Sequence, residues 1–315
     1  GGIDLFYQLT PSLKSSLSIN TDFAETEVDD RQINLTRFGL HYPEKRDFFL
    51  DGANYFQFGI EGDGESPVAK SIIPFFSRRM GLDIDGNPIP INVGAKLTGQ
   101  VDNWNIGMMH INDARETGQN NFSVARVSKN LWKQSSIGII GTYGNALSSL
   151  GEESNLLTGA DLKLSTSTFQ GNKNLSFFLF GLKSNTDGKD GNDGSWGAQA
   201  VYPNDLISAR LGYHEIGKNF VAGMGFVPRT NIRESYGEFE FGPRPNKWGI
   251  MQLEFGLEFD YINNIETSEL ETREIEISPL EIRFLSGERI RYSLINQYEL
   301  LNEDFNIFDD IVIQN

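Results

Sequence analysis

The chain has 315 residues and a formal net charge of −16 at pH 7, which argues against a nucleic-acid partner because neutralising phosphates requires clusters of lysine and arginine. It has no cysteine, so disulfides, thiolate metal sites and cysteine nucleophiles are excluded. No uninterrupted apolar run approaches the length of a transmembrane helix, so a role in a membrane would have to use β-strands or the membrane surface.

A two-residue alternation of apolar and polar side chains recurs along the chain and predicts strands. Residues 1–20 are expected to form a hairpin with strands at 4–9 and 13–20. Twelve further strands are predicted after residue 90, at 93–101, 104–108, 121–129, 136–144, 158–168, 174–183, 196–202, 206–213, 233–242, 251–261, 271–284 and 289–301. Pro279 interrupts one of them and predicts a bulge or an exposed end.

The stretch 251–261 shows the alternation without a fault. A helix would spread its apolar residues around the circumference, whereas a strand places all of them on one face. Its length is close to the roughly 9–11 residues with which a tilted strand crosses a bilayer. The opposite face carries Glu254, Glu258 and Asp260, which would line the interior if the apolar face contacts lipid.

The connections between the predicted strands alternate in length. The short ones are 102–103, 171–173, 203–205, 243–247 and 286–287, and the long ones are 112–120, 145–157, 184–195, 214–232, 262–270 and the segment from 302 on. A meander with short turns at one end and long loops at the other is typical of an outer-membrane β-barrel. A soluble β-protein with one wet face is the alternative interpretation.

Segment 21–90 differs from the strands because it is rich in charge. It opens with acids at 22, 25, 27, 29 and 30. Pro43 is expected to start a helical turn through Glu44, Lys45 and Arg46, after which Phe48, Phe49 and Leu50 pack inward and Gly52 ends the turn. The segment could fold into the barrel interior, where its cations meet strand acids, or it could be a connection with internal salt bridges. Its candidate ligand-binding residues are Glu44, Lys45, Arg46, Asp47, Arg78 and Arg79.

Four stretches of this region carry a family resemblance: NTDFAETEVDDRQINLTRF from Asn20, PEKRDFFLDGA from Pro43, PFFSRRMG from Pro74 and GAKLTG from Gly94. Together they resemble a Bacteroidetes-type family of outer-membrane β-barrel proteins of undefined function. Its full-length members join an N-terminal carbohydrate-binding family 9-like domain to the barrel. The resemblance implies that residues 91–315 are barrel strands truncated at the C-terminus, and that the sugar-binding domain is missing here.

Candidate catalytic chemistry is sparse. His41, His110 and His214 lack the spacing of paired metal ligands and are interpreted as solvated or structural histidines. Glu254 and Glu258 would lie roughly 13 Å apart along one strand, too far apart for the carboxylate pair of a glycosidase. The two glutamates are therefore predicted to line the interior and to have no catalytic role.

Loop carboxylates offer a weak metal signal. Asp187, Asp190 and Asp193 supply oxygen ligands for calcium, and residues 83–87 resemble the start of a calcium loop. Both lack the bidentate glutamate that closes an EF-hand. Because Asp, Asn and Gly are also ordinary loop residues, no cofactor is assigned, and calcium is kept as the alternative.

The function predicted from these patterns is an outer-membrane β-barrel of the bacterial cell that serves in binding or transport. Its partners would be outer-membrane lipid and, from the family resemblance, glycans. An acidic interior would favour neutral or cationic solutes. The alternatives are a glycan-processing protein with a glycoside hydrolase-type activity and a soluble β-sandwich that binds glycans.

Overall fold

The computed structural model describes residues 2–21, 43–60, 72–83, 87–115, 120–146, 154–227 and 229–300, and the backbone of two short strands beyond residue 304. The acidic stretch 22–30, His41 and the middle of the 83–87 loop lie outside these residues. The described helical parts are α1 (Asp47–Leu50) and two 3₁₀ turns, Ala53–Phe56 and Ser77–Arg79. None of the helices in the described ranges is long and apolar enough to span a membrane.

Fourteen strands of the described chain form one sheet in which each strand pairs with the next in sequence. They are β1 (Ile3–Thr10), β2 (Leu13–Thr21), β3 (Ile91–Val101), β4 (Trp104–Asp113), β5 (Asn121–Leu131), β6 (Ser135–Tyr143), β7 (Asn155–Phe169), β8 (Lys173–Thr186), β9 (Gly194–Pro203), β10 (Ile207–Ile216), β11 (Ile232–Phe241), β12 (Ile250–Asn264), β13 (Leu270–Phe284) and β14 (Arg289–Glu299). The protein is therefore an all-β antiparallel meander, which confirms the predicted class and strand number.

Most connections follow the predicted rhythm, but one pair of lengths is wrong: the link predicted to be short between β11 and β12 has eight residues, 242–249, and the link predicted to be long between β12 and β13 has five, 265–269, because β12 continues to Asn264. The link between β10 and β11, residues 217–231, contains no strand of this sheet, as expected for one long loop. Pro279 lies where β13 shifts register against both of its neighbours, so the predicted bulge is confirmed. Beyond residue 302 only a loop was expected, but β15 (Phe305–Phe308) and β16 (Ile311–Ile313) pair there. Strands of four and three residues are too short for an alternation to be recognised.

The chain divides into two compact units. Unit 1 comprises residues 1–162, 180–195 and 217–230, and unit 2 comprises 163–179, 196–216 and 231–315. Unit 1 thus holds β1–β6 with the adjoining ends of β7 and β8. Unit 2 holds β10–β14, most of β9 and the remaining parts of β7 and β8.

In unit 1 the two faces of the strands differ in an unusual way. Ile137 and Ile139 on one face of β6 are 47% and 63% exposed, whereas Thr142 on the opposite face is buried. The same buried face carries Lys96 of β3 and Arg126 of β5. Exposed apolar and buried charged side chains on one sheet reverse the usual distribution in a soluble protein.

Unit 2 shows the same reversal. Its exposed apolar face consists of side chains on β10–β14 that are all more than a third exposed: Leu211, Phe239, Phe241, Phe255, Leu257, Ile277, Leu280, Ile290, Tyr292 and Leu294. Its polar face carries His214, Glu234 and Glu281, and these three are buried. Each unit therefore has one exposed apolar face and one polar face.

Candidate functional site on the polar face

Segment 43–60 lies against the polar face of unit 1. Lys96 on β3 donates hydrogen bonds from Nζ to the carbonyl oxygens of Phe48 and Asp51. Lys14 on β2 donates to Asp51 Oδ2 at 3.0 Å, and Lys96 Nζ is 3.5 Å from the same carboxylate oxygen. Two strand lysines therefore hold the turn that follows α1.

Arg126 on β5 forms a second attachment. Its Nε donates to the carbonyl oxygen of Gln57 at 3.0 Å, and its Nη2 donates to Asp161 Oδ2 on β7 at 2.7 Å. The same carboxylate oxygen accepts a hydrogen bond from the backbone N–H of Gly59 at 3.0 Å. The Arg126 and Asp161 side chains are only 7% and 14% exposed, so this ion pair fastens residues 57–59 to two strands in a largely dry environment.

Aromatic side chains of the segment fill the space above the sheet. Phe48 and Phe49 are buried, and a Cβ atom on Gly94 of β3 would lie 3.2 Å from the Phe48 ring, so a glycine lets the ring approach the strand. The prediction that Leu50 packs inward is wrong, because this side chain is exposed. The helix begins at Asp47 and Arg46 is extended, so the predicted helical turn through residues 44–46 is also wrong. Residues two apart in a helix differ in direction by about 200°, so Leu50 points away from Phe48.

Glu44 and Arg46 join residues 43–60 to residues 72–83. Arg46 Nε and Nη2 donate to the two carboxylate oxygens of Glu44 at 2.8 Å each. The same guanidinium donates to the carbonyl oxygens of Met80 and Ser77, and the Ser77 hydroxyl donates to Glu44. Arg46 thus pairs within its own segment rather than with a strand acid. This arrangement corresponds to the second interpretation of segment 21–90, a connection with internal salt bridges.

This joint is expected to weaken in acid. Burial raises the pKa of Glu44, but the hydrogen bonds and charge of Arg46, with the Ser77 bond, outweigh burial and hold the pKa below its ordinary value. Because the folded-state pKa is depressed, the joint contributes its stability above the unfolded pKa of about 4.3 and loses it as the pH falls through the folded-state value.

We therefore expect amide protection at residues 45–49, corrected for intrinsic exchange rates, to fall in this acidic window. Glu44→Gln should reduce protection more than about tenfold at pH 7, since a hydrogen bond to a charged group contributes about 1.5–3 kcal/mol. The variant should also lose most of the acid dependence. An unchanged pH profile in Glu44→Gln would show that another group controls this contact.

The other predicted residues of the segment are Lys45, Asp47, Arg78 and Arg79, and the Lys45 N–H also donates to Glu44 Oε1 at 3.0 Å. Asp47 is exposed, and Lys45, Arg78 and Arg79 are partly buried. The Arg79 guanidinium lies 5.7 Å from the centre of the Phe226 ring, and burial lowers the pKa of Arg79. Arg79 therefore helps to anchor residues 77–80 on the loop 217–227, where Phe76 N–H also donates to the carbonyl oxygen of Met224 at 2.8 Å.

In unit 2 an arginine–glutamate cluster occupies the polar face of β12–β14. It consists of Glu254, Glu276, Glu281, Arg283, Arg289 and Arg291. Glu281, only 3% exposed, lies 2.7 Å from Arg283 Nε and 2.8 Å from Arg289 Nε. Arg283 also pairs with Glu254 at 3.0 Å. Glu254 is therefore neutralised by a neighbour in the structure.

Glu258, the second predicted acid of β12, is exposed on the same polar face. The pairing register places it opposite Glu238 on β11 and Glu276 on β13. Like charges directly opposite one another are destabilising, and Arg210 and Arg291 pair with the two outer glutamates. With two arginines beside three glutamates, this group carries a formal charge of −1.

Sequence reasoning missed a buried pair formed by the end of β10 and the start of β11. His214 Nε2 on β10 lies 2.9 Å from Glu234 Oε2 on β11, and both side chains are buried. His110, by contrast, lies on the exposed side of β4, where Nδ1 is 2.8 Å from the Ser123 hydroxyl. The histidines thus have structural contacts with separate partners.

The predicted calcium ligands have different partners. Asp187 accepts hydrogen bonds from the backbone and hydroxyl of Ser154, and Asp193 pairs with Lys183 at 2.8 Å. The described parts of the chain contain no group of three or more His, Asp or Glu side chains that could hold a metal ion. The carbonyl oxygen of Asp190 accepts from the Asn219 amide.

The residues that fasten segment 43–60 were also missed, although their signal was present. Lys96 and Arg126 fall on the inward parity of predicted strands, where a lone cation among small or apolar residues needs a partner. The alternation could have identified both as buried charges. The sequence does not show which of its many acids are their partners, and the structure identifies Asp51 and Asp161.

Comparison with known proteins adds a partial family match. Residues 1–87 match the model of a domain of unknown function, DUF5916. No curated protein matches the chain. Among solved structures, OccK10 (OpdN) of Pseudomonas aeruginosa has a TM-score of 0.39 at 12% identity, covering 72% of this chain and 74% of its own.

Two further structures from the same organism are similar to this chain. OccK8 (OprE) has a TM-score of 0.39 at 13% identity and covers 74% of this chain and 71% of its own. OprD has a TM-score of 0.37 at 14% identity and covers 68% of this chain and 66% of its own.

Proposed function

We propose that this chain forms the wall of a β-barrel in the bacterial outer membrane and serves in solute binding or transport. The observation that carries the proposal is the reversed exposure of the strands, with apolar side chains outside and buried or paired charges on the opposite face. In water, a continuous apolar face of this kind is unfavourable. In a bilayer it is the face required of each membrane-spanning strand.

Aromatic side chains border the apolar face of unit 2 at both ends. Near the long loops, Trp196, Tyr213 and Tyr261 lie on the exposed parity, with the Trp196 and Tyr213 rings 5.3 Å apart. Near the short turns lie Tyr202 and Phe169, with ring centres 6.3 Å apart. Aromatic girdles flank the apolar band of outer-membrane barrels at both interfaces.

The spacing between the two borders suits a bilayer. Trp196 and Tyr202 lie on the same strand, six residues apart, which corresponds to about 20 Å at about 3.3 Å per residue. The lipid-facing band of such barrels is about 25 Å tall. On β12, Phe255, Leu257 and Phe259 continue the same apolar band. Outer-membrane lipid is thus the partner we propose for this face.

The polar face would then line the interior. On β10–β14 its carboxylates outnumber its arginines, and the acids are Glu234, Glu238, Glu240, Glu254, Glu258, Asp260, Glu274, Glu276 and Glu281. A lining of one sign attracts the opposite charge, so neutral and cationic solutes are favoured. Segment 43–60, attached to the polar face of unit 1, would narrow the passage.

Reconstitution of the full chain tests this proposal. The protein should remain with lipid vesicles through a urea wash, and in planar bilayers it should conduct weakly and prefer K⁺ to Cl⁻, measured as a reversal potential across a KCl gradient. Glu258→Gln should reduce that preference because it removes a negative charge from the group of three glutamates. Recovery of the protein in the soluble fraction without detergent would contradict the membrane assignment, and a preference for Cl⁻ would contradict the acidic lining.

The carbohydrate role is a separate prediction that depends on the family resemblance. If neutral oligosaccharides bind in the proposed interior, their addition should reduce the bilayer current in a saturable way. The glycan-processing alternative would require carboxylates that are free to act on a sugar, and Glu254 is tied to Arg283. Hydrolysis of a glycan that is lost in Glu258→Gln would favour that alternative.

A further inference from the structure

Two tryptophans lie at the short-turn edge, the edge at which each odd-numbered strand connects to the next even-numbered one. Trp132 is in the turn between β5 and β6 and is 84% exposed, and Trp248 is in the link between β11 and β12 and is 89% exposed. They are the most exposed large apolar side chains in the described ranges. Trp132 belongs to unit 1 and Trp248 to unit 2, so each unit has one such residue at this edge.

The backbone at both tryptophans is in the left-handed region, with φ of +52° at Trp132 and +56° at Trp248. This conformation is unfavourable for a bulky residue, and turns usually place glycine, asparagine or aspartate there. Asp102 and Asn246 follow that usual pattern at the same kind of turn. Strained residues persist where other contacts compensate for the strain. Since both indoles are largely exposed, the compensating contact must come from outside the described chain.

In unit 1 the turn with Trp132 adjoins the end of the exposed apolar face. The pairing register places Lys129 between Trp104 and Ile137, and all three lie on the face that carries Ile139. Lys129 Nζ lies 5.0 Å from the centre of the Trp104 ring. The apolar face therefore ends in an aromatic and basic pair, three residues before Trp132.

In unit 2 the link with Trp248 adjoins the apolar face in the same way. Phe241 is the last residue of β11, and its ring stacks on Phe255 of β12 with the ring centres 6.0 Å apart. Both phenylalanines are more than a third exposed. The exposed apolar surface thus continues up to the link that carries Trp248.

An exposed lysine stands next to each of the two tryptophans. Lys133 follows Trp132, and Lys247 precedes Trp248. An indole has an apolar body and a polar N–H, so it is favoured at the headgroup level of a membrane, where a neighbouring lysine is attracted to anionic lipids. A soluble partner would have to bind beside a surface that lipid already covers. The continuity with the apolar faces therefore favours the bilayer as the partner.

We propose that Trp132 with Lys133, and Trp248 with Lys247, anchor each unit in the headgroup layer of an anionic phospholipid leaflet. This inference rests on the proposed function, because it assumes that the apolar faces contact a bilayer. The indoles lie among the headgroups, and the lysine ammonium groups attract the lipid phosphates. Transfer of the rings out of water offsets the backbone strain of the two turns.

Fluorescence quenching in vesicles tests where the indoles lie. W132G and W248G should fold, because glycine adopts a positive φ without strain, and the emission that each variant loses is that of the missing indole. In wild-type protein inserted into vesicles, lipids brominated near the headgroup should quench this emission more than lipids brominated at the chain end. Aqueous acrylamide should quench it several-fold less than in the urea-unfolded chain.

The charge of the headgroup tests the lysines. The Trp132 emission, measured against W132G, should give a higher association constant for brominated phosphatidylglycerol than for brominated phosphatidylcholine. K133Q should lower this preference about fivefold, which corresponds to about 1 kcal/mol for one basic residue near an anionic surface. K189Q is the matched control, because Lys189 is an exposed lysine of the same unit in the loop after β8, between Asp187 and Asp190. It should leave the preference unchanged.

The outcomes separate this inference from the proposed function. Failure of the wild type to insert into either kind of vesicle would contradict the proposed function. Insertion with both indoles open to acrylamide and unaffected by brominated lipid would overturn the anchor and leave the turns to a soluble partner. Equal association constants for the two lipids, or an equal loss in K133Q and K189Q, would overturn the anionic leaflet as the partner.

Discussion

Leu257→Arg is expected to weaken insertion of the chain into lipid vesicles by about 2–4 kcal/mol, the cost of a basic side chain at the midplane of a barrel's lipid face. Leu257 is 42% exposed at the centre of the apolar band of unit 2, and its neighbours in register are Phe239 and Ile277. An arginine there would place its charge in hydrocarbon. The urea dependence of folding into vesicles measures the change.

Glu258→Arg is the matched control, since it introduces the same side chain at the next residue, on the polar face. It should not destabilise insertion, because an arginine between Glu238 and Glu276 replaces two like-charge contacts with attractive ones. If Leu257→Arg is equally mild, the apolar face is in contact with water and the β-sandwich interpretation is favoured. Strong destabilisation by Glu258→Arg would mean that the two faces are assigned the wrong way round.

Arg126→Met is expected to destabilise unit 1 by about 3–5 kcal/mol, the usual cost of removing one partner of a buried ion pair. The substitution leaves the Asp161 carboxylate without its cation in a site where the side chain is 14% exposed. It also frees the carbonyl oxygen of Gln57. Urea unfolding of the inserted protein should show the loss, and residues 57–59 should become sensitive to protease.

The exposed pair Lys183–Asp193 offers a control of the same chemistry in the same unit. Lys183 is 70% exposed, so Lys183→Met should cost less than about 1 kcal/mol. Combining Arg126→Met with Asp161→Leu should recover part of the stability, because no charge is then left buried. The Arg126 guanidinium also lies 5.2 Å from the centre of the Phe58 ring. If the double variant is as unstable as the single one, this packing, rather than the ion pair, is the main contribution of Arg126.

The strands were predictable because their signal is local. Alternation at period two depends only on neighbouring residues, and it located β3–β14 and the N-terminal hairpin within a few residues. The long loop between β10 and β11 followed from the rhythm of the connections. The prediction failed where the pattern is short. Strands β15 and β16 were not predicted, and the direction of Leu50, which depends on the starting residue of a single helical turn, was predicted wrongly.

The partners of the charged residues were much less predictable. Two kinds of partner were left open for Arg46, strand acids or acids of its own segment, and only the structure shows that it is paired with Glu44. Glu254 was expected to contribute to an acidic lining, yet Arg283 neutralises it. Coulomb attraction and hydrogen bonding act over a few ångströms, so the partner of a cation is whichever acid the fold brings close to it. The sequence contains many acids and does not show which one that is.

The sequence by itself determined the strand positions and the two unlike faces of each strand, because side-chain direction in an extended chain depends on residue parity alone. Only the tertiary structure decided what covers those faces. It placed segment 43–60 on the polar face of unit 1 through Lys96 and Arg126 and left the apolar faces of both units exposed. Contacts between residues distant in sequence depend on the folded path of the backbone, which parity does not specify.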